Sequence, residues 1–276
     1  WKKSKTFLDK TKNVFIETGK TKTGDLMSPA NLRDIYDKHN KSCMIVTGDG
    51  GFDFSSDFEN QEAISANLIL CQIAFAIACQ AKGGSFVLKM FDTFTSSSVD
   101  MLYLMSVIYD EVIICKPQSS RTANSEKYIV CKGFRMDDTR SLVITLFHIM
   151  KKISDKKCIN RVISIDIPYA FSTKVEEINA ILGQQQIECI TQTIALIKSK
   201  NIEKIENLKK INIQKCASWC QKHRLIYNNS YTGNKILTMK QTRFTYDNSL
   251  TYEKSLTYEK SKNNYEEASQ ISCETT

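Results

Sequence analysis

Three short apolar runs, each bordered by one charged residue, constrain this chain more than any other feature. Asp49 follows the run CMIVTG in VTGDGGFDF, and Lys89 lies in GGSFVLKMFDTFT. Glu126 opens the third run in KPQSSRTANSEKYIVCKGF. Runs of this length, rich in Ile, Val and Phe and bounded by Gly, Pro and Ser, read as buried strands. If the strands are neighbours in one parallel sheet, the three charges converge at its carboxyl edge. Open α/β sheets bind ligands and carry out chemistry at that edge. A lysine held between carboxylates is suited to moving a proton.

The stretches between the runs have the helical period. Ser28 followed by Pro29 is a helix start, continued by NLRDIYDKH. Residues 60–82 read as a long, almost wholly buried helix stopped by Gly83 and Gly84. Residues 99–109 form the next helix and EVIICK the next strand. No helix separates EVIICK from KYIVCKGF, so an antiparallel, hairpin-like edge is expected there. A short strand is expected at NVFIE, Asn13 to Glu17. Strands alternating with helices predict a doubly wound α/β sheet.

Residues 137–224 are mostly helical in pattern. Beyond Asn228 the chain turns polar, and SLTYEK occurs twice in tandem. With few branched apolar residues to bury, residues 240–276 are expected to be disordered or only marginally structured. Three regions follow: a sheet domain over 1–136, a helical appendage over 137–228 and a polar tail over 229–276.

The net charge of +8 favours polyanions such as RNA. Residues 1–22 hold seven lysines against two acids, either a solvated arm or part of an RNA groove. The ten cysteines form no CxxC pair, and only three histidines are present. A reduced intracellular protein with no metal site is expected. Cys216 and Cys220 lie four apart, but a metal there would need two further ligands. No apolar run reaches membrane-spanning length and no signal peptide opens the chain, so no membrane partner is expected.

Read together, GDGGFDF, FVLKMFDTFT and SSRTANSEKYIVCKGF resemble the catalytic motifs of FtsJ-like ribose 2′-O-methyltransferases. They are most similar to the branch that methylates the first transcribed nucleotide of capped mRNA. TGDLMSPANL and the helical stretch down to CASWC extend the resemblance over residues 23–224. The resemblance implies a Rossmann-like class I methyltransferase sheet with a C-terminal helical appendage. It implies S-adenosylmethionine as cofactor, capped mRNA or another RNA as substrate, and a cytoplasmic or nuclear location. It points to a eukaryotic or large-DNA-virus source, with the host cytoplasm as the location in the viral case.

The resemblance also assigns roles. Lys89 becomes the base or activator of the hydroxyl, and Asp49 and Glu126 orient it. A free lysine has a pKa of roughly 10.4, so the site must lower it or couple deprotonation to methyl transfer. Asp25 in TGD matches the position that contacts the cofactor adenine, and Asp49 lies nearest its methyl end. Arg121 and Asn124 precede Glu126 and are candidates for RNA contact. Of the aromatics Phe52, Phe54 and Phe58, core packing is expected for two and base stacking for the other. The family's glycine-rich first motif and first catalytic lysine have no counterpart here, and Lys20 and Lys22 sit in the wrong context. The sheet is therefore expected to be incomplete at its N-terminus, with residues 43–47 as an exposed edge. The alternative function is a non-catalytic RNA-binding or scaffold subunit with a degenerate methyltransferase fold. A nicotinamide dehydrogenase is disfavoured because no GxGxxG is present.

Overall fold

The computed structural model describes residues 5–54, 57, 59–154, 159–225, 252–255 and 271–275. Helix α1 (Lys5–Lys10) precedes an irregular segment, and α2 (Pro29–His39) begins at Ser28 and Pro29 as expected. The strand expected at Asn13–Glu17 does not form. Phe15 and Ile16 there are exposed, so no buried face rewards extending that segment. Then follow β1 (Cys43–Gly48), α3 (Gln61–Cys79), β2 (Gln80–Met90), α4 (Ser96–Ile108), β3 (Tyr109–Lys116) and β4 (Lys127–Phe134). Next come α5 (Arg140–Ser154), β5 (Ile159–Ile163), α6 (Tyr169–Ser199) and α7 (Ile202–Lys222). Two short strands, β6 (Tyr252–Ser255) and β7 (Ile271–Thr275), lie in the C-terminal region.

The main sheet has the order β1-β2-β4-β3-β6. The four expected strands do share one sheet, but only β1 and β2 pair in parallel. β4 is not an edge. It runs antiparallel to both β2 and β3 and lies between them. The physical reason is the missing crossover helix: a chain returning through a loop reverses direction. β6 adds to β3, and β7 pairs with β5. Two stretches of the expected polar tail are thus strands, and its other residues lie outside the described ones.

Alternation along the strands separates two faces. Phe86, Leu88 and Met90 of β2, Ile129 and Cys131 of β4, and Val112 and Ile114 of β3 are buried. Helices α3 and α4 pack on the sheet and on each other. Val87, Lys89, Tyr128, Val130 and Ile113 point the other way and are half-buried. α3 is long and apolar enough to cross a membrane by length and composition, contrary to the expectation for such runs. Two-thirds of that stretch is buried inside this fold, with Leu70, Cys71, Ala74, Ala76 and Ala78 fully enclosed.

Gly83 and Gly84 do not stop α3. The helix ends at Cys79, β2 starts at once, and both glycines lie inside the strand. The register with β1 slips between Cys43 and Ile45, and Gly83 has φ +78. Glycine meets that positive φ at a bulge without a Cβ clash. β1 pairs only with β2 among the described residues, and Met44 and Ile45 are exposed.

The chain divides into two compact units. The first contains Trp1–Arg121, Ser125–Leu182 and Thr251–Thr276; the second contains Thr122–Asn124 and Gly183–Leu250. α5 therefore goes with the sheet. Its stripe of Leu142, Leu146, Ile149, Met150 and Ile153 is buried in the core. In the second unit α7 has no buried residue, and Asn201 caps it by accepting the Lys204 N–H at 2.9 Å.

Burial separates two residues of adjacent strands. Leu88→Ala should cost about 2–5 kcal/mol, the range for an enclosed leucine. Ile45→Ala, at a site 73% exposed, should change stability by less than about 0.5 kcal/mol. Urea denaturation of the two variants checks the contrast.

Candidate active site

The parallel β1-β2 pair carries Asp49 and Lys89 to the same edge. Gly48 is opposite Leu88 in the ladder, so Asp49 comes level with Lys89. Lys89 Nζ lies 2.7 Å from Asp49 Oδ1 and donates to the Asp49 carbonyl at 3.3 Å. The lysine side chain is only 16% exposed, whereas Asp49 is 74% exposed. The amine is thus enclosed by the sheet, and its carboxylate partner faces outward. Phe91 stands beside it, with the amine 5.7 Å from the ring centre.

The turn after β1 is fixed from below. Gln72 of α3 is buried, and its Oε1 accepts the Gly50 N–H at 2.7 Å. A Cβ at Gly50 would lie 2.9 Å from that oxygen, and one at Gly48 would lie 2.9 Å from Leu88. The glycines on either side of Asp49 let the turn lie flat on α3. A side chain at either would push Asp49 away from Lys89.

The antiparallel β2-β4 ladder completes the edge. Tyr128 is the direct partner of Lys89, so both side chains share the half-buried face. Tyr128 donates its hydroxyl to Glu126 Oε1 at 2.8 Å. Glu126 thus stands next to the lysine's cross-strand partner. Burial, the Glu126 hydrogen bond and the charges of Glu126 and Asp49 push the Tyr128 phenol up to about 12. Asp49 just beyond β1, Lys89 of β2, Tyr128 of β4 and Glu126 just before β4 thus line one edge of the sheet.

A second charged layer lies behind this row. Lys127 is buried and donates to Thr93 Oγ1 at 3.3 Å. Burial lowers its pKa, against the opposing charges of Asp92 and Glu62. Burial likewise raises the Asp92 carboxyl. Lys116, at the end of β3, donates to the Glu126 carbonyl at 2.6 Å. Burial depresses it to about 8, with Glu126 pulling the other way and Lys127 adding to the depression.

Residues 4–134 match the model of the FtsJ-like methyltransferase family. This chain carries an FtsJ-like methyltransferase domain. Its mixed α/β sheet and helices are the fold of that family, followed by the C-terminal helices. The domain is similar to the cap-specific mRNA (nucleoside-2′-O-)-methyltransferase 1A of Caenorhabditis briggsae. That match is 33% identical over 207 residues, 69% of this chain and 23% of the relative. A second relative in that organism is named an inactive cap-specific mRNA (nucleoside-2′-O-)-methyltransferase 1B. It is 32% identical over 207 residues, 69% of this chain and 24% of the relative. The cap-specific mRNA (nucleoside-2′-O-)-methyltransferase 1 of Mus musculus is 32% identical over 190 residues, 66% of this chain and 22% of the relative. The chain spans about a quarter of the length of these curated relatives.

Within the FtsJ-like domain, Asp49 pairs directly with Lys89, whereas Glu126 bonds Tyr128, the lysine's cross-strand partner. Asp25 lies in the turn before α2, exposed, with Oδ1 accepting the Met27 N–H at 2.9 Å. Burial, and then the Asp25 charge, push the Cys71 thiol of α3 up to about 12. Arg121 is exposed, and its charge reaches Lys116. Asn124 belongs to the second unit, with Ala123, whose carbonyl accepts from Gln186 at 3.5 Å. Phe54 is buried edge-on to Phe91, Phe52 is 44% exposed, and Phe58 lies outside the described residues. Tyr128, Lys116 and Lys127 escaped the sequence reading. The signal for Tyr128 was present, two residues from Glu126 on the same face of a strand. It needed the register to give it a meaning.

Lys116 makes stability depend on pH. Its folded pKa is below the ordinary 10.5, so between about 8 and 10.5 the unfolded chain binds more protons. Stability from this group therefore rises with pH through that window. Lys116→Met should flatten the rise. Melting temperatures of the two proteins from pH 7.5 to 10 should converge as pH increases. A constant difference would contradict the assignment.

Proposed function

We propose that the protein containing this chain is an S-adenosylmethionine-dependent RNA methyltransferase. In this reading it acts on the ribose 2′-hydroxyl of the first transcribed nucleotide of capped mRNA. The observation that carries it is the enclosed Lys89 amine 2.7 Å from Asp49, with Tyr128 and Glu126 beside it. The similarity to cap-specific methyltransferases supports the choice of RNA and of hydroxyl.

The donor set fits the cofactor. When bound, S-adenosylmethionine supplies an electrophilic methyl group on a sulfonium. Asp49, largely exposed beside the lysine, offers a carboxylate to that cation. Asp25, exposed and stiffened by its own turn, would accept from the adenine amino group. The ammonium paired with Asp49 would first lose a proton to solvent, and the neutral Lys89 Nζ would then orient the 2′-hydroxyl and accept its proton as the oxygen takes the methyl group. Asp49 fixes the amine directly, and Glu126 supports it through Tyr128. Most of the rate gain comes from this alignment and from fixed charges that need no rearrangement. Arg121 and Asn124 serve the RNA, the first as a cation for phosphate and the second as an amide for base or ribose.

The test uses the whole protein with a capped RNA. Lys89→Ala should abolish methyl transfer and leave S-adenosylmethionine binding within about twofold, because the amine acts on the nucleophile. Asp49→Ala should impair both. Lys89→Arg should also fail, since a guanidinium does not deprotonate in proteins. Near-normal turnover by Lys89→Arg would show that only a fixed positive charge is needed. RNA binding without any transfer by the unmodified protein would favour a role like that of the relative named inactive.

A further inference from the structure

Two cysteines meet at the end of β1 far from the Asp49–Lys89 pair. Cys43 opens β1, and Cys79 closes α3 immediately before β2 begins. Cys43 is the ladder partner of Gln80, the residue after Cys79. Ser42, the residue before Cys43, donates its N–H to the Cys79 carbonyl at 3.0 Å. The two backbones are therefore tied on both sides of the cysteine pair. Neighbouring strands run about 4.8 Å apart, and a disulfide spans Cα separations of about 4.4–6.8 Å. The Cys79 thiol hydrogen-bonds to Cys43 and has a second acceptor in the Ala76 carbonyl at 3.7 Å, so the two sulfurs already face each other.

This pair differs from the cysteines of the core. Cys71 and Cys131 are fully enclosed, and Cys131 donates to the sulfur of Met105 at 3.7 Å. Such cysteines behave as small apolar side chains. Cys43 and Cys79 are half-buried instead. Cys43 lies on β1, which pairs only with β2 among the described residues, and its sulfur has the Ser42 hydroxyl at 3.5 Å. Burial, and then the Cys43 beside it, push the Cys79 thiol up to about 12. Cys79 thus keeps its proton at neutral pH and holds it toward Cys43. The ladder slips just here, between Cys43 and Ile45. The slip separates the first rung of β1 from the regular ladder, so the two sulfurs can close to about 2.05 Å without shearing the rest of the sheet.

We propose that Cys43 and Cys79 are a redox modification site, a dithiol that closes reversibly to a disulfide. The oxidant is a hydroperoxide such as hydrogen peroxide. The Cys43 thiolate attacks one peroxide oxygen and the O–O bond breaks. Cys43 becomes a sulfenic acid, and the second oxygen leaves as water. The Cys79 sulfur then attacks the Cys43 sulfur. The S–S bond forms, the S–O bond breaks, and the hydroxyl takes the Cys79 proton and leaves as water. Two thiols and one peroxide thus give one disulfide and two waters. Exchange with a dithiol reductant returns both thiols. The link ties the end of α3 to the start of β1, which are already in contact. It therefore shields Cys43 from irreversible oxidation without moving the Asp49 turn.

The experiment treats the whole protein with a few equivalents of hydrogen peroxide and denatures it in iodoacetamide to cap the remaining thiols. Disulfide-linked peptides are then mapped by mass spectrometry. The expected product joins Cys43 to Cys79, with Cys71 and Cys131 capped as free thiols. Dithiothreitol should return the pair to thiols. In Cys79→Ser the resolving sulfur is gone, so Cys43 should be captured by dimedone as the sulfenic acid and go on to the sulfinic acid. In Cys43→Ser, Cys79 should remain a thiol under the same conditions. The proposal is overturned by a Cys43 that stays a thiol at peroxide levels that oxidise the exposed Cys216. A link from Cys43 to a cysteine other than Cys79, or equal sulfinic acid at Cys43 with and without Cys79, would overturn it as well.

Discussion

The register of β4 against β2 is the constraint on which the rest of the site depends. Side chains alternate across a strand, so a slip of one residue would exchange Tyr128 for Lys127 opposite Lys89. Tyr128 and Glu126 would leave the lysine, and the buried Lys127 would take their place on the half-buried face. The observed register is held from both sides. On one face Ile129 and Cys131 fill the core beside Leu88 and Phe86. On the other edge of β4, the pairing with β3 sets Val130 against Ile113 and Ile129 against Ile114. Because β4 is interior, both of its ladders must slip together for the site to be lost.

The second support is the contact between α3 and the turn after β1. α3 is almost uniformly apolar, and one buried polar side chain on it, Gln72, receives the Gly50 N–H. A buried amide aimed at one backbone donor costs much to displace, since the donor would then be unsatisfied. The packing of the core helix is thereby converted into the position of an exposed carboxylate. The same logic places Glu62 at the other end of the edge, where it accepts both the N–H and the hydroxyl of Thr95. The helix thus orders the two loops that border the lysine.

Much of this was legible in the chain. The apolar runs around Val46, Leu88, Ile114 and Ile129 gave strands, and the charges at their borders gave the edge. What failed did so for identifiable reasons. NVFIE has strand composition but no partner surface, so tertiary context overrode its propensity. Gly83 and Gly84 have the form of a helix stop, yet the same φ freedom serves a bulge inside β2. The pairing of Tyr252–Ser255 with β3 was hidden, because a polar repeat can still supply backbone hydrogen bonds to an open strand. Tyr128 and the low-pKa lysine Lys116 depend on neighbours brought together by the ladder, which no local pattern reveals.

The central claim is that the enclosed amine serves transfer of a methyl group to a ribose hydroxyl. The most direct measurement incubates the whole purified protein with capped RNA and S-adenosylmethionine carrying a deuterated methyl group. The RNA is then digested to nucleosides and read by mass spectrometry. The account predicts deuterated methyl on the 2′-oxygen of the first transcribed nucleotide. Label on a base, or no label with RNA and cofactor both bound, would contradict it.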